Sequence, residues 1–269
     1  DVGDLLARLG DGPHGVYRPV HDLAAARSAF PDRPVEAPKA WKEMIHRYAA
    51  SSLGLAILIV TARAWRQRTE RTPWLEGALL AVVCGQGLLG MLTVTRLLKP
   101  VIVTAHLLGG LSTLALLAVL WLRVSPARPR APASGALRGL AVAALMAVVV
   151  QIALGGWVSS NYAALACPDF PTCRQSWLPE MHFNDAFHVF RELGMTAQGT
   201  LLTQENLVAI HWMHRAGAVL VTLLVGSLAL VLLRDAVARA YGVLLLGVLL
   251  LQLSLGIANV LLQLPLPVA

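Results

Sequence analysis

Four histidines carry the first chemical signal in this sequence: His46, His106, His211 and His214. Each lies close to one end of a long apolar run, where an imidazole is costly unless it has work to do. Two of them recur in the same context, Ile45-His46-Arg47 and Met213-His214-Arg215, each followed by small residues and then an apolar stretch. Imidazoles at matched depth on facing helices can clamp an iron porphyrin from both faces. Gly109 and Gly110 follow His106 on the same helical face, as Ala49 and Ala50 follow His46 and Gly217 and Ala218 follow His214; small residues there would let a wide ring approach the backbone. Arg47 and Arg215 adjoin the ligands at the water boundary, placed to pair with porphyrin carboxylates. The plain alternatives are interfacial histidines and small residues that serve helix packing.

Glu43 precedes His46 by three residues, so the two share a face, whereas His214 has His211 at that position. A carboxylate beside one pocket and not the other points to proton-coupled chemistry in one half only. It is equally compatible with a helix-start acid or a Lys42 partner. His211 reads as a spare ligand, a residue touching the ligand's surroundings, or an interfacial side chain.

The elements that must hold these groups are membrane helices. Of the 269 residues 57% are hydrophobic and 14% charged, with a mean hydropathy of +0.64, against roughly 25% charged in a soluble domain. Residues 77–95, 101–122, 139–160, 216–233 and 240–269 contain no Asp, Glu, Lys or Arg, and a sixth span runs from about Ile45 to Ala64. Each is near the roughly 20 residues that a crossing requires, and none alternates as a barrel strand does. The expected fold is therefore all-α, with six membrane spans.

The net charge of +7 fits topology better than nucleic acid. Arg63, Arg66, Arg68 and Arg71 fall in one loop, Arg123, Arg128, Arg130 and Arg138 in another, and Arg234 and Arg239 in a third. These loops share one side, the cytoplasm by the positive-inside rule. That leaves residues 1–40, the 96–100 link and the 159–205 loop outside. Cys167 and Cys173 sit in this outer loop, in Cys-Pro-Asp-Phe-Pro-Thr-Cys, where they can form a disulfide or supply two metal ligands, with His182 and His188 as company. Cys84 lies alone inside a span and reads as packing.

A repeat organises the whole. Gln86-Gly-Leu-Leu-Gly90, Gln151-Ile-Ala-Leu-Gly155 and Gln252-Leu-Ser-Leu-Gly256 recur at the outer ends of spans. His46, Gln86, Lys99-Pro100-Val101 and His106 align with His214, Gln252 and Leu266-Pro267-Val268, after which a matching histidine would fall just past Ala269. This predicts a duplicated four-helix unit: an outer segment 1–40, an N-terminal bundle 41–122, a linker 123–138, and a C-terminal bundle 139–269. The first helix of one copy and the last of the other are expected to be missing.

The segments Trp41-Lys-Glu-Met-Ile-His46-Arg47, Thr104-Ala-His106-Leu-Leu-Gly-Gly110, Leu154–Cys173 and Ile210-His-Trp-Met-His214-Arg215 resemble the heme A synthase family, from about Pro34 onward. The resemblance implies an eight-helix fold of two four-helix bundles. It also implies an oxidoreductase that converts the ring D methyl of heme O to a formyl group by successive hydroxylations, giving heme A for cytochrome oxidase. It implies Glu43 as the essential acid, His46 and His106 as the histidine pair for the substrate heme, His214 as an axial ligand of a heme B iron cofactor, and Cys167–Cys173 as a disulfide. Partners implied are heme O, heme A, heme O synthase and oxidase assembly factors in the bilayer, with no nucleic acid; a homo-oligomer is compatible. The expected location is the bacterial inner membrane, with the histidines and cysteine loop toward the periplasm. A diheme b-type electron carrier and a non-catalytic heme carrier are the competing classes.

Overall fold

The computed structural model describes residues 37–67, 73–95, 98–125 and 134–263. Residues 1–36, Arg68, Arg71, Arg128, Arg130 and the Leu266-Pro267-Val268 match of the repeat lie outside them. The described residues form six α-helices: α1 (Ala37–Arg66), α2 (Trp74–Thr95), α3 (Pro100–Val124), α4 (Gly135–Ser160), α5 (Gln204–Leu233) and α6 (Arg239–Leu261). All six are long and apolar enough to cross a membrane, so the chain is a multi-pass membrane protein. Large apolar side chains such as Leu55, Leu114, Leu145, Leu223 and Leu251 point outward along the spans. In lipid that exterior is expected, because hydrocarbon solvates it as well as a core would.

The chain divides into two compact units. One holds α1, α2 and α3 from Gly109 to Val124. Here Ile57, Leu75 and Leu79 are almost fully buried. The Thr61 hydroxyl donates to the Glu76 carbonyl across the α1–α2 pair at 3.1 Å, satisfying a polar group that lipid cannot. Arg123 lies over the Trp74 ring at 4.8 Å, a cation–π contact between the ends of α3 and α2.

The other unit holds the start of α3, to Leu108, with α4, α5 and α6. Ala144, Val225 and Leu249 form its helix-to-helix core. Gly242 lets α6 close on α5: a β-carbon there would come within 2.8 Å of the Ala229 carbonyl. The ends are capped as their sequences dictate. Ser134 accepts from the Leu137 amide, and Thr203 with Asn206 forms a reciprocal capping box at the start of α5.

Between α4 and α5, residues 161–203 contain no helix and only two isolated bridges. So long an irregular stretch in a compact unit is usually functional, and this one is held by side chains that donate to its backbone carbonyls. Trp157 Nε1 donates to Ala186 at 2.8 Å, Asn206 Nδ2 to His182 at 2.9 Å and Trp212 Nε1 to Trp177 at 3.0 Å. Arg191, 4% exposed, donates to His188 and Met195 and lies over the Trp157 ring. Burial pulls its pKa below the usual arginine value, with the nearby Asp185 opposing that.

Candidate heme-ligand site

The site is built where α4, α5 and the loop converge. His214 lies about three turns into α5, and its Nδ1 is 3.1 Å from Gln151 Nε2 of α4. The same Gln151 nitrogen donates to the His214 carbonyl at 3.0 Å. With Nδ1 engaged, Nε2 is the ring nitrogen left for a ligand. The imidazole lies close against α4, since a β-carbon at Gly155 would come within 3.2 Å of its Cε1.

Arg215, the next residue, turns to the loop. Its Nη1 donates to the carbonyls of Asp169 and Thr172, each at 2.8 Å, and its Nη2 to the Cys167 carbonyl at 2.8 Å. Its Nε meets His211 Nε2 at 3.3 Å, and the Cys167 amide donates to His211 Nδ1 at 3.3 Å. His211 is 4% exposed, with its ring between the Cys167 amide and the Arg215 guanidinium; a neutral imidazole accepts at only one of its nitrogens, and in either tautomer the residue braces loop against helix.

Cys167 and Cys173 form a disulfide with their Cα atoms 4.6 Å apart, resolving the open choice between a bridge and metal ligands. No group of three metal-ligating side chains occurs among the described residues, and His182 and His188 are exposed. Inside the bridged turn, Arg174 and Gln175 have φ of 54° and 64°. This turns both their amides onto the Asp169 carboxylate, a small anion nest. The Thr172 hydroxyl bonds it too, and these bonds, that of Thr172 foremost, lower the Asp169 pKa from 3.8 to about 2.

Glu43 and His46 belong to the first unit, and His106 to the second. Glu43 pairs with Arg47, one turn on along α1, rather than with Lys42, and His46 is exposed on the same helix. His106 is half-buried in α3, where its neighbours Thr104 and Leu107 pack on Gly156 of α4. Two glycines expected to admit a flat ring do something else. A β-carbon at Gly217 would collide with Gln151 Oε1, and one at Gly109 with Gln86 Nε2. In two of the three Gln-x-x-x-Gly repeats, those of Gln86 and Gln151, the glutamine fills the space its facing glycine leaves. The repeat was visible in the sequence; its link to the histidine helices was not. The carbonyl-holding side chains Trp157, Arg191, Asn206 and Trp212 gave no pattern to detect.

The family model described as COX15-CtaA, cytochrome oxidase assembly protein, matches residues 15–269. Heme A synthase of Shewanella oneidensis is 41% identical over 251 residues, 93% of this chain and 76% of that protein. The chain belongs to the heme A synthase family. Heme A synthase of Halalkalibacterium halodurans is 30% identical over 181 residues, 64% of this chain and 59% of that protein, and that of Shouchella clausii 29% over 220 residues. Within the heme A synthase frame, α5 joins the two features, its His214 meeting Gln151 of α4 and its Arg215 holding the disulfide loop.

Proposed function

We propose that this chain is an oxidoreductase that converts heme O to heme A. The carbon that changes is the ring D methyl: two successive two-electron oxidations, each passing its electrons to an external acceptor and taking one oxygen atom from water with release of two protons, give an alcohol and then a geminal diol, and loss of water leaves the formyl group. His46 and His106 bind the substrate heme. Glu43, three residues before His46, holds and releases protons beside it. Its Arg47 partner keeps the carboxylate oriented when substrate is absent. The observation that carries the reading is the His214 imidazole held at Nδ1 by Gln151, in a chain 41% identical to a protein named heme A synthase.

The residues around His214 fit a heme B. Nε2 is the free ring nitrogen, Gly155 removes the side chain that would crowd the ring, and Gln151 Oε1 is a buried acceptor with no partner. Bound there, heme B supplies one-electron transfer. The protein contributes orientation: Gln151 fixes the imidazole, and Arg215 and His211 tie its helix to the disulfide loop. Orientation in the bacterial inner membrane, with this loop on the periplasmic side, follows from the arginine-rich loops opposite.

The test is Glu43→Gln in the full-length protein. It should retain heme and stop conversion, leaving heme O unchanged. Continued heme A formation would overturn the role of Glu43.

A further inference from the structure

We infer that Gln151 is a positioning residue for His214, setting the tautomer and tilt of the imidazole for iron ligation through Nε2, and that Gly217 is glycine in order to seat it. This rests on the reading of His214 as a heme ligand. Gln151 and His214 are 63 residues apart and on different helices, yet the amide spans the ring nitrogen and the backbone carbonyl of the same residue. Two glycines give way to that arrangement. Gly217, on the helix of His214, has no β-carbon to collide with the amide, and Gly155, on the helix of Gln151, has none to crowd the ring.

The amide is also left chemically incomplete. Gln151 Oε1 is buried without a partner, and a buried acceptor so placed carries a free-energy cost. Ligation through Nε2 requires the ring proton on Nδ1. A half-turn of the amide then gives Oε1 that proton to accept, while the His214 carbonyl keeps its place in the α5 ladder. A metal-bound imidazole nearly always donates its other N–H to a carbonyl, carboxylate or water, and here the glutamine supplies the carbonyl.

The seating of a glutamine against a glycine is repeated. In the first unit Gln86 takes the same relation to Gly109, which follows His106 by three residues as Gly217 follows His214. Both glutamines open a Gln-x-x-x-Gly segment. Packing alone would not require a glutamine facing a glycine at the histidine-plus-three position twice.

The test measures heme retention, the low-spin electron paramagnetic resonance signal and the midpoint potential of the heme in full-length protein. The variants are Gln151→Leu, Gln151→Glu and Gly217→Ala, with His214→Ala alongside. Gln151→Leu should weaken heme retention roughly 10–100-fold and raise the potential, because the imidazole loses the acceptor that made it a stronger donor. Gln151→Glu should lower the potential. Gly217→Ala keeps the glutamine but displaces its amide, and should move the potential as Gln151→Leu does. A merely structural defect would shift Leu and Glu in the same direction, and that result, or an unchanged potential and signal in all three, would overturn the inference. A wild-type spectrum in His214→Ala would instead remove the ligand assignment on which it rests.

Discussion

Arg215 Nη2 donates to the carbonyl of Cys167 at 2.8 Å. This joins the residue after His214 to the first cysteine of the disulfide loop. With the bonds to Asp169, Thr172 and His211, one guanidinium fixes the loop to the helix that carries the ligand. A planar fork with several donors suits that geometry, and an ammonium does not. Arg215→Lys should therefore behave almost as poorly as Arg215→Ala. Each should cost about 2 kcal/mol or more, since hydrogen bonds from a charged donor contribute about 1.5–3 kcal/mol. Thermal unfolding in detergent and limited proteolysis between residues 168 and 178 would measure it; a lysine variant with wild-type protection would contradict the role of the fork.

Asp169 makes the loop acid-sensitive over a defined window. Its carboxyl is held at about 2 against an ordinary 3.8, so the stabilisation is fully present above about pH 3.8 and is lost as pH falls through 2. Protease protection of the loop should be constant from pH 7 to 5 and decline between about 4 and 2. Asp169→Asn should be less protected at neutral pH and flat across that window. Equal acid sensitivity in both proteins would place the titrating group elsewhere.

Opening the Cys167–Cys173 bridge should loosen the same loop. A disulfide closing a short loop contributes roughly 2–4 kcal/mol. Because Arg215 also binds both ends of the bridged segment, Cys167→Ser combined with Arg215→Ala should be non-additive. A double-mutant cycle on melting temperature reads the coupling, and strict additivity would mean that the bridge and the guanidinium act independently.

The α5–α6 contact should tolerate no side chain at Gly242. A β-carbon there meets the Ala229 carbonyl and the Leu233 amide at 2.8 and 2.9 Å. Gly242→Val should destabilise by about 1–3 kcal/mol as an overpacking substitution; an unchanged melting temperature would show that the helices can part freely.

The spans were legible because lipid imposes one demand on every residue of a crossing helix, and a charge-free run records it directly. Side-chain partners were not. Periodicity placed Gly109 and Gly217 on the faces of His106 and His214, but could not say that glutamines from other helices fill them. Arg215 beside a histidine suggested a porphyrin carboxylate, whereas its donors go to loop carbonyls, which every sequence has and none advertises. The cysteine spacing favoured a disulfide without excluding a metal pair, and the distance between the two residues decided it. The loop itself has no period, because its order comes from single donors such as Trp157 and Arg191 reaching backbone oxygens.

The most direct test of the central claim is extraction and mass identification of the hemes bound by the full-length protein, expressed in cells that make heme O but not heme A. Heme A or its hydroxylated precursor, alongside heme B, is the predicted result. Heme B alone, at two per chain, would contradict it and make the protein an electron carrier.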